Sequence, residues 1–148
     1  MNLESIQLIE NEQIDRQATR KKVEGILETV RVYGQIGFVR KQSSVISGYE
    51  PRYHGPTNLI NKVTERVAVY NVDTEERLTK LCKEVEEAIG CLDDNEQEMI
   101  RRRYLKRDKE HDFMLCYKLD MSERTYRRVK AKAMAKLAYM LRLEVMRK

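Results

Sequence analysis

Hydroxyl and basic side chains follow one another closely in the last third of the chain, and their types suit contact with DNA. From Ser122 to Leu141 apolar residues recur every three or four positions, which predicts an α-helix with one apolar face. On the other face, arginine forks match guanine, a glutamate accepts a hydrogen bond from cytosine, and hydroxyl and lysine groups contact phosphate. The residues predicted to contact DNA are Ser122, Glu123, Arg124, Thr125, Arg127, Arg128 and Lys132.

The segment before this helix helps to decide between a DNA-binding helix and an ordinary solvated basic helix. Leu115, Cys116 and Leu119 predict a short helix that stops at Asp120, a residue type that tolerates the positive φ of a tight turn. A second helix then begins after Ser122, which is a good N-cap. This order is the layout of a helix-turn-helix, whose second helix enters the major groove. We therefore favour DNA binding.

A third helix is predicted upstream of this pair. Asp93 followed by Glu96 matches a capping box, in which the two residues satisfy free N–H groups of the first turn. The residues of its apolar face are Met99, Ile100 and Tyr104. The last third of the chain is thus predicted to contain three helices.

These helices resemble the region-4 DNA-binding module of bacterial sigma factors, and more closely the ArpU/RinA-type late-transcription regulators of phages that infect Gram-positive bacteria. The resemblance covers about residues 88–140 and rests on two helix signatures. The matching residues are Leu92, Glu96, Ile100, Arg103, Tyr104, Leu105, Ser122, Arg124, Thr125, Tyr126, Lys130, Ala133, Lys136, Leu137 and Ala138. The resemblance implies double-stranded promoter DNA and host RNA polymerase as partners, and activation of phage late genes as the function.

Charge is divided unevenly along the chain. The net charge of the whole chain is +5. Residues 101–148 carry 16 Lys and Arg against 6 Asp and Glu, whereas the other 100 residues carry 13 Lys and Arg against 18 Asp and Glu. A basic end of this kind predicts a polyanionic partner for the last third only. A membrane surface also attracts basic helices, but it is not favoured here because neighbouring helices need the apolar face.

Composition favours an all-α protein without catalytic or metal chemistry. Charged residues make up 36% and aromatic residues 7%, which suits surface-rich helices better than a β-sandwich. The cysteines at 82, 91 and 116 show no Cys-x-x-Cys spacing, which argues against a zinc site. The sequence contains no catalytic motif and no phosphate-binding loop, so we predict neither an enzyme nor a bound cofactor. We find no signal peptide or long apolar run, so the expected location is the bacterial cytoplasm.

The chain divides into four predicted segments. They are an N-terminal helical arm (1–41), a linker loop rich in Ser, Gly and Pro (42–56), a long middle helix (57–90) and a helix-turn-helix DNA-binding domain (91–148). The arm's helix is predicted from about residue 11 to 33, and a break near 72–74 is the alternative to one continuous middle helix. The apolar stripe of the middle helix packs either on the arm or on the same helix of a second chain in a homodimer.

Two other functions fit the same pattern. A phage small terminase subunit also places a helix-turn-helix beside an oligomerising helical segment, and a ring of many subunits would distinguish it. A polymerase-binding adaptor would press the arginine face against an acidic protein surface, and such a protein would not shift duplex DNA in a gel.

Overall fold

The computed structural model describes residues 13–42 and 58–147, the side chains of 58–63 excepted. Within these ranges the helices are α1 (Arg16–Ile36), α2 (Asn58–Gly90), α3 (Asp94–Ile100), a π-helical segment (Arg101–Leu105), α4 (Asp112–Lys118) and α5 (Glu123–Met140). Their only β-structure is a bridge between Ile14 and Met146. The predicted all-α fold class is confirmed. The predicted linker loop lies, beyond its first residue, outside the described residues.

The first helix begins later and ends later than the apolar pattern predicted. The Asp15 carboxylate accepts two backbone N–H groups of the first turn, at 3.0 and 2.9 Å, and this cap sets the start at Arg16 rather than near residue 11. Ile14 therefore lies outside the helix. At the other end, Gly37 has a φ of 69°, a conformation that glycine adopts without steric cost, and the helix stops there.

The middle helix is continuous over 33 residues and ends at Gly90, so the alternative break near 72–74 is absent. It lies antiparallel to α1. The Tyr33 and Thr79 hydroxyls are 3.0 Å apart, and the Asn71 side chain bonds both the N–H and the carbonyl of Lys41, at 2.9 and 3.0 Å. Of the two packing partners that the sequence left open, the N-terminal helix of the same chain is the one observed. The homodimer stays a prediction.

A single large cluster of buried side chains joins α1, α2, α3 and α5. Its members are Val23, Leu27, Val30, Val85, Ala88, Ile89, Leu92, Ile100, Ala133, Met134, Leu137, Ala138 and Leu143. The core therefore extends across the predicted segment boundaries at 41 and 90. Because α5 contributes four of these residues, the same helix that carries the predicted DNA contacts is anchored in the centre of the molecule.

A second, smaller cluster fixes α4 against α5. It consists of Met99, Leu115 and Tyr126, with Cys116 and Val129 among the partly buried residues around it. The short α4 has one buried side chain of its own, Leu115. This cluster is therefore the main apolar contact that orients α4 relative to α5.

The turn between α4 and α5 has the positive φ that the sequence predicted. Asp120 adopts a φ of 51°. The Met121 N–H donates to the Cys116 carbonyl at 2.9 Å, and the Asp120 N–H donates to the Tyr117 carbonyl at 3.2 Å. These two bonds form a Schellman motif, which satisfies the free carbonyls at the end of α4. The chain is thereby turned within three residues into the N-cap of α5.

Candidate nucleic-acid interface

The seven predicted DNA-contacting residues share one exposed surface at the start of α5. Every one of them is exposed, while Tyr126 and Ala133 on the opposite face are buried. We call these seven residues the ridge. They are Ser122, Glu123, Arg124, Thr125, Arg127, Arg128 and Lys132. The structure therefore brings together every residue that the sequence assigned to the site.

Exposure of α5 is confined largely to its first half. Beyond residue 132 most side chains are buried, including Met134, Leu137 and Ala138. The exposed half, from Glu123 to Lys132, corresponds to about 15 Å of helix. A helix anchored at one end and exposed at the other can present its N-terminal turns to a groove without losing its core contacts.

The N-terminus of α5 is capped by its own hydroxyl groups. The Ser122 Oγ accepts the Thr125 N–H at 3.2 Å and lies 2.8 Å from the Thr125 Oγ1. The free N–H groups and the helix dipole make such an end favourable for anions. Since both hydroxyls are exposed, they can bond a phosphate oxygen as well as each other.

Two ridge residues form an ion pair with each other. Arg127 donates to the carboxylate of Glu123, one turn earlier, and both side chains are more than two-thirds exposed. An exposed pair of this kind contributes at most about 1 kcal/mol and is readily broken. Arg124, Arg128 and Lys132 form no ion pair with any residue that the structure describes, so their charges face solvent.

Lys130 is buried, which the sequence analysis missed. Its Nζ donates to Asp112 Oδ2 of α4 at 2.7 Å, and the Tyr126 hydroxyl donates to Asp112 Oδ1 at 2.9 Å. Burial alone would raise the pKa of Asp112, but the hydrogen bonds from Lys130 and Tyr126 lower it below its usual value. The burial of Lys130 could have been predicted from the sequence, because position 130 lies on the inner face of α5 between Tyr126 and Ala133.

Lys136 forms a second buried ion pair, between α5 and the start of α3. Its Nζ donates to Glu96 at 2.6 Å and to Asp93 at 3.2 Å, and the Lys136 and Glu96 side chains are only 5% and 3% exposed. Burial acts to lower the pKa of Lys136, but the two carboxylates outweigh it and raise the pKa. Glu96 also accepts the Asp93 N–H at 3.2 Å, so the predicted capping box is confirmed and supplies the carboxylate of this pair.

Ion pairs also engage the arginines that follow α3. In the π-helical segment, Arg101 pairs with Glu86 of α2 at 2.8 Å. The Nε of Arg103 lies 2.9 Å from Asp112 Oδ1, so the two side chains form an ion pair. The buried Nε of Arg103 has no hydrogen-bond acceptor among the described residues, so this ion pair contains no hydrogen bond from Nε. These arginines bind helices together and are less available to an external anion than the ridge.

An open cavity of about 490 Å³ lies beside this segment and is lined almost entirely by charged side chains. Within it, Glu110 accepts from Lys118 at 2.8 Å and from Lys106 at 3.1 Å. Ligand pockets are mostly apolar with a few polar groups. Here six of the seven lining residues are charged, and the cations among them are already paired with carboxylates of the protein.

Residues 13–42 and 58–147 contain neither a metal-ligand cluster nor a membrane-spanning helix. No group of three or more His, Cys, Asp or Glu side chains there is placed to hold a metal ion. None of the helices in these ranges combines the length and the apolar character needed to cross a bilayer.

Comparison with known proteins gives one match. The chain is 26% identical over 141 residues to a protein of Listeria innocua serovar 6a, named as an uncharacterized phage-related protein, and the alignment covers 93% of this chain and 96% of the relative. No family model and no solved structure matches. The chain is therefore similar over nearly its whole length to a phage-related protein. The narrower resemblance to ArpU/RinA-type regulators stays a prediction.

Proposed function

We propose that this protein is a sequence-specific, double-stranded-DNA-binding transcriptional regulator that activates phage late genes together with host RNA polymerase. The observation that carries the proposal is the ridge, in which a hydroxyl-capped helix end and three arginines are exposed on a helix whose other half is buried. The similarity to a phage-related protein supports the phage context. On this proposal the protein acts in the cytoplasm of the bacterial host, where promoter DNA and polymerase meet.

In the proposed complex, α5 enters the major groove with its N-terminus first. Arg124, Arg127 and Arg128 reach guanine O6 and N7, and Glu123 accepts from cytosine N4. The ion pair between Glu123 and Arg127 opens on binding, at the small cost of an exposed pair. The remaining ridge residues, Ser122, Thr125 and Lys132, bond phosphate oxygens and fix the register of the helix on the duplex.

Genome-wide footprinting during prophage induction is the first experiment, because it reports both whether DNA is occupied and which sequences are. The proposal expects discrete protected sites upstream of late genes. The recovered duplex is then titrated by fluorescence anisotropy at a stated salt concentration, since affinity for DNA depends steeply on salt. An absence of protected sites, together with no binding in the titration, would reject the proposal.

Arg127→Ala is expected to weaken binding to the recovered site by about 1–3 kcal/mol and to relax discrimination at one base pair. The reason is the loss of a bidentate contact to a guanine edge. The measurement is anisotropy against the cognate duplex and against duplexes changed at single positions. A loss of equal size on every sequence would mean that Arg127 contacts only the backbone.

Lys132→Ala is expected to weaken binding evenly on all sequences and to reduce the slope of log affinity against log salt by about one. The reason is the release of one fewer counterion from phosphate. The matched control is Lys80→Ala, which removes another exposed lysine, from α2. If both variants behave alike, Lys132 makes no specific phosphate contact.

A further inference from the structure

An exposed stripe runs along α5 from the ridge to the turn that ends the helix. Its members follow one another at intervals of three or four residues, so they share one face. They are Arg124, Arg128, Lys132, Ala135, Tyr139 and Arg142, and we call them the outer stripe. Ala135 is half-buried and the other five are exposed. The first three are ridge residues, whereas Tyr139 and Arg142 belong neither to the ridge nor to the core.

Arg142 has a backbone conformation that arginine rarely adopts. Its φ is 54°, and its N–H donates to the Tyr139 carbonyl at 3.2 Å while the Leu143 N–H donates to the Ala138 carbonyl at 2.9 Å. These two bonds form a Schellman motif, in which glycine usually occupies the position with positive φ. A long side chain at that position is under steric strain, and residues under such strain cluster at functional sites.

The side chain of Arg142 is not used by the fold. It is exposed and forms no ion pair with a described residue. Backbone bonds of Val145 bring residues 13–19 beside residues 142–147, and together these two segments carry three arginines and two carboxylates. One of the carboxylates, that of Asp15, already accepts two backbone N–H groups at the start of α1. The surroundings of Arg142 are therefore net basic, and its guanidinium is available to an anion.

The charges of the outer stripe favour the same duplex that the ridge binds. Four of its six members are cations, and no carboxylate occurs from residue 124 to residue 143. Such an uninterrupted row of cations fits a polyanion. The centres of protein–protein interfaces are depleted in charged residues, so an acidic protein fits the stripe less well than a phosphate backbone does. Because three of the four cations belong to the ridge, DNA held there is the polyanion that adjoins the rest of the stripe.

We propose that Tyr139 and Arg142 bond the phosphate backbone that borders the major groove, so that the contact with DNA extends along the whole outer stripe. From Arg124 to Tyr139 the stripe measures about 22 Å, whereas the groove is about 12 Å wide. With the first turns of α5 in the groove, the last turn therefore lies over a bordering strand. This inference rests on the proposed function and adds a second contact, which fixes the tilt of α5 on the duplex.

The decisive variant is Arg142→Gly, because glycine relieves the positive φ and removes the guanidinium. Binding of the recovered duplex is measured by fluorescence anisotropy over a range of salt concentrations. Affinity is expected to fall roughly fivefold on every duplex, which equals about 1 kcal/mol, and the salt slope is expected to decrease by about one. The Tm is expected to be unchanged or higher, since glycine is favoured at this position. A loss of affinity without a loss of stability distinguishes a DNA contact from a structural role.

Three further variants control for charge and for the neighbouring hydroxyl. Arg142→Lys keeps a positive charge at the same φ and is expected to retain most of the affinity and the salt slope. Arg77→Ala removes an exposed arginine of α2 that forms no ion pair with a described residue, and it is expected to leave binding nearly unchanged. Tyr139→Phe removes only a hydroxyl and is expected to weaken binding less than Arg142→Gly does.

Phosphate ethylation interference locates the contact on the duplex. Ethylation of a phosphate that the protein touches weakens binding, so the wild type is expected to show sensitive phosphates beside the region of base contacts. With Arg142→Gly, the outermost of these phosphates are expected to become insensitive, while the others stay sensitive. A change in overall stability would not produce so local a difference.

Four results would overturn the contact at the end of the outer stripe. They are an Arg142→Gly variant that binds DNA as the wild type does, an equal loss of affinity in Arg77→Ala, an unchanged set of sensitive phosphates, or a fall in Tm that accompanies the loss of affinity. In each case the wild type still binds DNA, so the proposed function stands. Failure of the wild type to bind any duplex, in contrast, rejects the proposed function and this inference with it.

Discussion

Glu96→Ala is expected to lower the free energy of unfolding by about 3–5 kcal/mol, which is the typical cost of leaving one member of a buried ion pair without its partner. Lys136 would keep its charge inside the protein with only Asp93, at 3.2 Å, as a partner. The Asp93 side chain is 69% exposed, so its attraction to the ammonium is weakened by water and offsets less of the free-energy cost of burying that charge than Glu96 does. Urea denaturation followed by circular dichroism measures the change.

The control for this prediction is a Glu96→Leu/Lys136→Met double variant. Because two apolar side chains replace both charges, it is expected to recover most of the stability that Glu96→Ala loses. A loss below about 1 kcal/mol for Glu96→Ala would mean that the Lys136 ammonium reaches water and that the pair does not hold α3 to α5. Recovery in the double variant distinguishes a charge effect from a packing effect.

The same ion pair predicts a pH dependence of definite sign. The folded-state pKa of Lys136 is raised, so its contribution to stability is fully present below the unfolded pKa of about 10.4 and is lost as pH rises through the folded value. The stability of the wild type is therefore expected to fall towards that of the double variant in alkaline solution. No such convergence is expected near neutral pH.

Tyr126→Ala is expected to lower the free energy of unfolding by about 3–5 kcal/mol and to destabilise α4 more than the rest of the molecule. Tyr126 is fully buried in the small cluster with Met99 and Leu115, and its hydroxyl donates to Asp112. Its removal leaves a cavity where α4 rests on α5. Amide exchange is expected to show lost protection in α4 first, while α1 stays protected, since α1 belongs to the larger cluster.

Tyr126→Phe is the matched control, because it keeps the ring and removes only the hydroxyl. Asp112 then retains Lys130, at 2.7 Å, and the expected cost is about 1.5–3 kcal/mol for the lost hydrogen bond to a charged group. If Tyr126→Ala lowers protection in α1 and α4 equally, the two clusters form one cooperative unit and the local effect is absent.

Features with a local cause were predictable from the sequence. The three- and four-residue spacing from Tyr126 onward placed the ridge on the outer face of α5, and Asp93 with Glu96 marked the start of α3. The residue types allowed at the turn predicted the positive φ of Asp120. Each of these depends on residues within about one or two turns of one another, so no knowledge of the tertiary fold was required.

Features that depend on distant partners were not predicted. The third helix changes to a π-helical segment at Arg101, and the Tyr104 hydroxyl in that segment donates to Glu24 of α1, eighty residues away, at 3.0 Å. The burial of Lys130 and Lys136 likewise depends on carboxylates brought by other helices. Periodicity reveals which face of a helix is inward, but it does not reveal which neighbour supplies the opposite charge.

The bridge between Ile14 and Met146 has a consequence for how the chain acquires its fold during synthesis. The Asp15 N–H donates to the Val145 carbonyl at 2.7 Å, and the Val145 N–H donates to Thr19 Oγ1 at 2.9 Å, so the first turn of α1 is completed by Val145, 126 positions after Thr19. Closing so long a loop is entropically slow. While the chain is still emerging from the ribosome, the apolar face of α1 can pack on α2 but has no α5 to cover it, and the core stays incomplete until the residues around 145 have been translated.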